Sequence, residues 1–206
     1  MENLIRFEKL LDEIKSRADG EKRLIVGIAG PPGSGKSTLA DDLADCIGTS
    51  AAVLPMDGFH LDNETLRQRG LLNRKGAPET FDAQSFVELV RALKQQSSLT
   101  YPTFDREEDR TVPDGGRIDA GSKIVLVEGN YLLLDSPPWS ELAKLFDMTV
   151  KLTVGRSELE RRLIERWVNH GLSASAATER AQENDVRNAD LVSTHSRSSD
   201  FIYVGD

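Results

Sequence analysis

The feature that most constrains this chain is residues 30–38, which read Gly-Pro-Pro-Gly-Ser-Gly-Lys-Ser-Thr and directly follow the apolar run 24–29. They fit the spacing G-x-x-x-x-G-K-[ST] of a phosphate-binding loop, which lies between a buried strand and a helix. Glycines let backbone N–H groups approach phosphate oxygens, and a helix beginning near Lys36 adds its positive N-terminal end. A plain Gly/Pro-rich turn would explain neither the lysine nor the hydroxyls. The pattern therefore predicts a strand–loop–helix unit that binds a nucleoside triphosphate.

Within this loop the residue types suggest a division of roles. We expect Lys36 to reach the β- and γ-phosphates of ATP and the Ser37 hydroxyl to ligate Mg²⁺. ATP and Mg²⁺ are therefore the expected cosubstrate and metal. The candidates for contact with ATP are Gly30, Pro31, Pro32, Gly33, Ser34, Gly35, Lys36, Ser37 and Thr38.

Composition limits the class of protein. A chain of 206 residues, 38% of them hydrophobic, is long enough to form one domain with a sizeable core. A net charge of −8 disfavours nucleic acid as a partner, because such binding relies on Lys and Arg to neutralise phosphates. The sequence shows no apolar run near the ~20 residues that span a bilayer and no secretory leader. We expect a cytoplasmic protein, monomeric or homodimeric, that acts on a small molecule and does not bind membranes.

Apolar runs alternate with amphipathic stretches along the chain, which is typical of an α/β fold with a mainly parallel sheet. We expect one domain over 1–206 that begins with a helix over 1–20, where Leu4, Phe7 and Leu10 recur at helical spacing. Two polar segments and an arginine-rich segment interrupt the pattern: a first excursion at 58–82, a second excursion at 100–121 that suggests a β-hairpin, and a helical lid at 156–188. The five expected strands are 23–29, 51–56, 124–127, 148–154 and 201–204.

Carboxylates end two of the expected strands. Asp57 follows the second strand and Glu128 follows the apolar run 124–127. In open α/β sheets ligands bind outside the carboxyl ends of the strands, so both should lie near the phosphate-binding loop. Asp57 is a candidate general base for an attacking hydroxyl, and Glu128 a candidate partner of Mg²⁺. The two roles could be exchanged, and each residue could instead only cap a turn or end a strand in solvent.

Four motifs together resemble a known family. They are the loop at 30–38, Met-Asp-Gly-Phe-His at 56–60, Pro-Thr-Phe-Asp at 102–105 and Val-Glu-Gly-Asn-Tyr at 127–131. In this order they resemble the P-loop kinases that include uridine kinase, phosphoribulokinase and bacterial pantothenate kinase. The similarity extends from about residue 22 to 206 and is greatest to small bacterial members described as fructose transport system kinases.

The resemblance implies a three-layer α/β/α P-loop NTPase fold with a five-stranded, mainly parallel sheet and a helical lid. It also implies that Asp57 is the catalytic base and that Glu128 lies at the metal. By the same resemblance, Asp82, Phe104 and Asp105, with Arg106 beside them, belong to the acceptor pocket, although N-capping would explain Asp82 as well. It further implies that the arginines of the lid, Arg161, Arg162 and Arg166, fold over the phosphates.

Two of these arginines also have a rationale of their own. Arg162 and Arg166 are four residues apart, so both could face the same phosphate from one side of a helix. Guanidinium groups pair bidentately with phosphate oxygens and would stabilise charge that develops during transfer. The alternative is surface pairing with neighbouring glutamates, which contributes little in water. We therefore expect Arg162 and Arg166, together with Lys36 and Asp57, to be catalytic.

The acceptor is harder to predict. Gly58 and His60 stand where uridine kinases usually carry Ser and Tyr, and neither excursion has a pattern that we can assign to uracil. His60 and Asn130 are further candidates for contact with the acceptor, since both can form hydrogen bonds to hydroxyls. A lone histidine in a loop could instead serve only as a structural hydrogen-bonding residue. The sequence favours an ATP-dependent kinase acting on a hydroxyl of a sugar or sugar-bearing metabolite. The alternative is a regulatory ATPase or switch without a small-molecule acceptor.

Overall fold

The computed structural model describes residues 3–18, 20 and 22–205. Eight strands are present in this part of the chain: β1 Leu4–Ile5, β2 Leu24–Ala29, β3 Ala51–Pro55, β4 Leu99–Asp105, β5 Arg110–Ile118, β6 Ile124–Gly129, β7 Met148–Leu152 and β8 Phe201–Tyr203. Six of them form a parallel sheet in the order β1-β8-β7-β2-β6-β3, and β4 and β5 form a separate antiparallel pair.

Seven α-helices connect the strands within the described residues: α1 Phe7–Arg17, α2 Lys36–Ile47, α3 Asn63–Gln68, α4 Ala83–Ala92, α5 Arg156–Asn169, α6 Ala174–Arg180 and α7 Val186–His195. A π-helical turn, Ala181–Asp185, joins α6 to α7, and short 3₁₀ turns occur at Met56–Phe59, Leu72–Arg74, Pro78–Thr80 and Trp139–Lys144. Among the described helices, none has the length and apolar character needed to span a bilayer.

Side chains of the central strands alternate between two separate cores. Val26 and Ile28 of β2 pack with α1 and α2 on one face of the sheet, while Ile25 and Ala29 pack with α4 on the other. Because successive side chains of a strand point to opposite faces, both faces of a continuous apolar strand must be covered. The result is the expected three-layer α/β/α arrangement.

The sheet has one strand more than the five predicted, and the N-terminal helix is shorter. Leu4–Ile5 pairs with β8 as an edge strand, Arg6 has extended backbone, and α1 begins only at Phe7 and ends at Arg17. Residues 1, 2 and 19 of the predicted helix lie outside the described part. A two-residue strand is too short to show a period of its own, so the helical spacing of Leu4 was coincidental.

The two excursions lie outside the main sheet. The second forms the expected β-hairpin from β4 and β5, which pair from Leu99 with Ile118 to Asp105 with Arg110, with a register shift between Tyr101 and Thr103. The first contains α3 and two 3₁₀ turns. The Tyr101 hydroxyl donates to the carbonyl oxygen of Val53 at 2.9 Å, which attaches the hairpin to edge strand β3. The excursions therefore build one wall beside the carboxyl end of the sheet.

Candidate active site

The carboxyl ends of three adjacent strands meet at a cleft of about 720 Å³. The phosphate-binding loop follows β2, Asp57 follows β3, and Glu128 lies near the end of β6, which pairs with both. We divide the lining of this cleft into two halves. The donor half consists of Pro32, Gly33, Gly35, Lys36, Ser37, Thr38 and Arg166. The acceptor half consists of Asp57, His60, Asn63, Lys75, Phe104, Arg106, Asp109 and Asn130.

In the donor half, the loop has the conformation that its glycines allow. Gly35 has φ of +89°, a left-handed value that side chains with a Cβ rarely adopt, and α2 begins directly after it at Lys36. The first N–H groups of a helix have no partner within the helix, so they remain available to phosphate oxygens. The predicted strand–loop–helix unit is confirmed.

Glu128 lies beneath this loop with only 4% of its surface exposed. Its Oε1 accepts a hydrogen bond from the Ser37 hydroxyl at 3.1 Å, and its Oε2 lies 3.9 Å from Lys36 Nζ. Burial raises the pKa of Glu128, while the Lys36 charge and the Ser37 hydrogen bond act in the opposite direction. Glu128 thus faces the two loop residues that are expected at the metal and the phosphates.

The same residues fit Mg²⁺. A hydroxyl and a carboxylate supply the hard oxygen ligands that Mg²⁺ prefers, and this ion usually takes its other ligands from water and phosphate oxygens. Within the described ranges no group of three or more His, Cys, Asp and Glu side chains could hold a metal ion by itself. A magnesium ion at Ser37 and Glu128 would take its remaining ligands from water and phosphate oxygens.

Asp57 lies in the 3₁₀ turn after β3 and faces the cleft. Its Oδ2 accepts from Arg106 Nη2 at 3.0 Å, whereas its Oδ1 takes no hydrogen bond from the described residues. One oxygen is thus held in place and the other is open to a ligand. The hairpin comes close to this turn because residue 58 is glycine: a Cβ at Gly58 would lie 1.7 Å from the carbonyl oxygen of Pro102.

His60 occupies a defined state beside Asp57. Its Nδ1 lies 2.8 Å from the Asp57 carbonyl oxygen, and because a carbonyl only accepts, Nδ1 must carry the proton. Burial lowers the pKa of His60, although the charge of Asp57 opposes this. The neutral ring packs at 4.1 Å from the Phe81 ring and 4.6 Å from the Phe104 ring. Its Nε2 is therefore unprotonated and can accept a hydrogen bond.

A cluster of polar side chains joins the two excursions. Lys75 Nζ, from the first excursion, lies 2.7 Å from both Asn63 Oδ1 and Asp109 Oδ1. It also lies 5.0 Å from the centroid of the Phe104 ring. Burial alone would raise the pKa of Asp109, but hydrogen bonds from Lys75 and Asn63 bring it below its usual value. This cluster fixes the far end of the acceptor half.

The lid places its two candidate arginines differently. Arg166 lines the cleft. Arg162 donates to Glu158 at 2.7 Å and to the carbonyl oxygen of Gly33 at 3.4 Å, so it supports the loop from behind. Arg161 pairs with glutamates on the exposed face of α5. The shared helical face thus brings one arginine to the cleft and the other to the loop backbone.

Within the described residues the lid is also linked to the first excursion by five hydrogen bonds, which we call the latch; one of them runs from Arg74 Nη1 to the Glu183 carbonyl oxygen at 3.2 Å. Arg74 donates to Asn184 Oδ1 at 2.7 Å and to Asn188 Oδ1 at 3.3 Å. Asn184 Nδ2 donates to the Lys75 carbonyl oxygen at 2.8 Å, and Arg180 donates to that of Asn73 at 2.7 Å. Asn184 lies in the π-helical turn and is buried. The latch connects the element that holds Lys75 to the lid.

Not every predicted site residue lines the cleft. Asp82 caps α4 by accepting from the Ser85 N–H at 3.1 Å, and Asp105 accepts from the N–H groups of Glu107 and Glu108 in the hairpin turn. Gly30, Pro31 and Ser34 belong to the loop without lining the cleft, and Glu128 lies below it.

Sequence reasoning also missed several cleft residues: Asn63, Lys75, Asp109, Arg180 and Asp185. Trp167 also lines the cleft, where its Nε1 donates to Asp185 at 2.5 Å and Arg180 lies over its face. The only available signal for these residues was their place in the polar excursions and the arginine-rich lid.

Comparison with known proteins identifies a family of kinases, which agrees with a phosphate-binding loop at the cleft. The model of the Phosphoribulokinase / Uridine kinase family matches residues 25–192. A Schizosaccharomyces pombe protein named "Putative uridine kinase C227.14" is 36% identical over 211 aligned residues, which cover 93% of this chain and 88% of that protein. A pantothenate kinase of Streptococcus pneumoniae is 28% identical, covering 74% of this chain and 52% of that enzyme.

A solved structure from Silicibacter sp. TM1040, described as a "putative fructose transport system kinase", superposes with a TM-score of 0.92. It is 41% identical and the match covers 97% of this chain and all of that one. The family match spans most of the chain and includes the phosphate-binding loop, Asp57 and Glu128. The chain therefore belongs to the phosphoribulokinase/uridine kinase family and is an ATP-dependent P-loop kinase, a phosphotransferase that acts on a hydroxyl group.

Proposed function

We propose that this kinase transfers the γ-phosphate of ATP to a hydroxyl group of a sugar or a sugar-bearing metabolite, with Asp57 as the general base. The observation that carries the proposal is the position of Asp57 at the sheet edge shared with the phosphate-binding loop and Glu128. Arg106 holds one of its oxygens and leaves the other open to the cleft.

In this proposal, Asp57 Oδ1 accepts the proton of the acceptor hydroxyl as that oxygen attacks the γ-phosphorus. The new O–P bond forms while the bond between the γ-phosphorus and the bridging oxygen breaks, and ADP leaves. Lys36 and Arg166 contact the phosphates, where their charges stabilise the charge that develops on the oxygens. Arg162 positions the loop through the Gly33 carbonyl oxygen.

Ser37 and Glu128 would hold Mg²⁺, which when bound neutralises charge on the β- and γ-phosphates. The protein's part in this is to keep both ligands in place, and the 3.1 Å hydrogen bond between them does so in the absence of the metal. The short distance between Glu128 and Lys36 places the metal ligand and the phosphate ligand side by side.

The class of acceptor is supported by the relatives. The S. pombe relative is named as a uridine kinase and the Silicibacter structure as a fructose transport system kinase. Uridine and fructose share sugar hydroxyl groups, whereas only uridine carries a nucleobase. Hydrogen-bonding side chains such as His60 and Asn130 in the acceptor half suit such hydroxyls.

The test of the base is Asp57→Asn. We expect ATP affinity, measured by calorimetry, to stay within about twofold, while the transfer rate falls by roughly 10²- to 10⁴-fold because proton transfer is lost. Asp12→Asn, a change of an exposed aspartate on α1, is the matched control and should retain full activity. Unimpaired turnover by Asp57→Asn would overturn the assignment of the base.

The test of the activity is ADP release with and without acceptors. A panel of sugars, nucleosides and pantothenate is offered with Mg²⁺ and ATP, and at least one sugar or nucleoside should increase ADP release with stoichiometric phosphorylation. ADP release that no acceptor changes would instead indicate the regulatory ATPase.

A further inference from the structure

The acceptor half contains positive charges that are already neutralised. Lys75 and Arg106 are its two cationic side chains among the described residues, and each contacts a carboxylate: Lys75 lies 2.7 Å from Asp109 and Arg106 lies 3.0 Å from Asp57. The formal charges of these two ion pairs therefore sum to zero. A phosphate or carboxylate group on the acceptor would therefore meet no uncompensated cation there.

Lys75 in particular has no donor left for a ligand. An ammonium group has three N–H donors, and Nζ of Lys75 contacts Asn63 Oδ1, Asp109 Oδ1 and the Asp109 carbonyl oxygen, the last at 3.1 Å. Its side chain is only 11% exposed. Removing it from this cluster to bind an anion would leave the Asp109 carboxylate without its cationic partner, which opposes the exchange.

Beside the Arg106 guanidinium, which gives one N–H to Asp57, three open groups of the acceptor half are hydrogen-bond acceptors. Asp57 Oδ1 takes no hydrogen bond from the described residues, and neutral His60 presents an unprotonated Nε2. Asn130 Oδ1 is buried and has no partner in the described part of the chain. Such atoms require donors, which hydroxyl groups supply and a phosphate dianion does not.

The other side of the cleft differs in charge. Lys36 and Arg166 line the donor half, and Arg180 of the lid lines the cleft where it donates to the Asn73 carbonyl oxygen and lies over the Trp167 ring. These cations suit the triphosphate of ATP. The charge distribution thus separates a positive region for the cosubstrate from a neutral region rich in hydrogen-bond acceptors.

From these observations we propose that the acceptor half selects an uncharged, hydroxyl-rich molecule and discriminates against its phosphorylated or carboxylated counterparts. This inference rests on the proposed kinase function, because it names the class of acceptor for that same site.

The first test compares acceptors in matched pairs that differ in charge. D-fructose is paired with fructose 6-phosphate, uridine with uridine 3′-monophosphate, and pantothenyl alcohol with pantothenate, and each is tested for stimulated ADP release. The neutral member of any pair that reacts should have a kcat/KM at least about tenfold higher than its charged partner. A preference for charged members would overturn the inference while supporting the proposed function, whereas ADP release unaffected by every compound would contradict the proposed function.

The second test does not depend on knowing the acceptor. Asp109→Asn removes the charge that neutralises Lys75 but keeps the size of the side chain, and asparagine tolerates the positive φ of 50° at this position. With Mg²⁺ and a non-hydrolysable ATP analogue filling the donor half, inorganic sulfate is titrated by calorimetry. We expect no sulfate binding by the wild-type protein and millimolar binding by Asp109→Asn.

Asp114→Asn is the matched control. Asp114 lies in the same hairpin with a φ of 51°, but it does not line the cleft and accepts from the Thr100 hydroxyl instead. This variant should behave like the wild-type protein in both tests. Sulfate binding by the wild-type protein under these conditions, or its absence in Asp109→Asn, would overturn the inference.

Discussion

The two halves of the cleft are built by different means. The donor half rests on the interior strands β2 and β6, whose side chains are buried on both faces of the sheet. The acceptor half combines Asp57 and Asn130, which follow β3 and β6, with the two excursions outside the main sheet, where polar contacts such as those of Tyr101 and Lys75 hold the excursions in place. Packed cores resist deformation more than hydrogen-bonded loops do. The comparison suggests that ATP binding should tolerate damage to the acceptor half, whereas transfer should not tolerate damage to either half.

The largest effect is expected in the donor half, from Lys36→Met. This change removes the loop cation and leaves buried Glu128 without its charged neighbour. We expect kcat/KM for ATP to fall by about 10²- to 10³-fold, the usual cost of losing one group that stabilises transferred charge. Steady-state kinetics with an acceptor that stimulates ADP release provides the measurement.

Lys94→Met is the matched control, because Lys94 forms an exposed ion pair with Asp147 far from the loop. It should leave kcat/KM within about twofold, as exposed pairs contribute little. If the two variants lost activity equally, the assignment of Lys36 to the phosphates would be wrong.

The next effect tests whether the acceptor half can be damaged separately. Gly58→Ser places a Cβ where the Pro102 carbonyl oxygen lies, so the hairpin must move away from the turn that carries Asp57. A displacement of about 1 Å at reacting groups can cost on the order of 10²-fold in rate. We therefore expect transfer to fall by about that factor while the dissociation constant of ATP, measured by calorimetry, changes less than twofold.

For this prediction Gly121→Ser serves as the control. A Cβ at Gly121 would meet nothing within 4 Å, so this variant should keep wild-type kinetics. A large loss of ATP affinity in Gly58→Ser would show that the halves are not independent.

The donor half was predictable because its determinants are local in sequence. The loop, its glycines and the start of α2 lie within a few residues of one another, and apolar runs mark the strands that end near Asp57 and Glu128. Edge strand β1 could not be predicted in the same way, because two residues show no period and its pairing with β8 joins distant parts of the chain.

The acceptor half depends on pairs that are distant in sequence. Lys75 and Asp109 are 34 residues apart, and Arg74 and Asn184 are 110 apart, so no spacing rule links them. At Asp82 two roles were compatible with the sequence, contact with the acceptor and capping of a helix. In the structure Asp82 caps α4. The polar character of the excursions indicated a binding region, but only the fold shows which charges meet.

A smaller effect should follow from breaking the latch with Asn184→Ala. The change removes the donor that holds the Lys75 carbonyl oxygen and one acceptor of Arg74. We expect KM for the acceptor to rise by roughly threefold to tenfold, and the protein to lose about 1–3 kcal/mol of stability because buried polar groups are left unpaired. Because the phosphate-binding loop is untouched, ATP affinity should change less than twofold.

Asn169→Ala, at the exposed end of α5, is the control for this variant and should change none of these quantities. If KM for ATP rose as much as KM for the acceptor, the latch would position the lid rather than the acceptor half. Equal KM values for the variant and the wild-type protein would contradict any positioning role for Asn184.

The smallest effect concerns pH and belongs to the acceptor half. Burial lowers the pKa of His60, and the charge of Lys75 adds to this, while Asp57 and Asp109 oppose it. Between the lowered folded pKa and the ordinary value of about 6.5, the unfolded chain binds the proton more readily than the folded protein does. The contribution that neutral His60 makes to the free energy of unfolding is therefore fully present above about pH 6.5. It is lost as the pH falls from there through the folded pKa, by at most about 1.4 kcal/mol for each pH unit crossed.

Urea unfolding at pH 7.5, 6.5 and 5.5 should thus show a steeper acid-side loss of unfolding free energy in the wild-type protein than in His60→Gln. Glu128 in the donor half contributes with the opposite sign, since burial raises its pKa, but it does so in both proteins. The difference between their slopes therefore isolates His60. Parallel slopes would mean that the ring is not held neutral beside Asp57. The assignment of Nε2 as a hydrogen-bond acceptor would then be wrong as well.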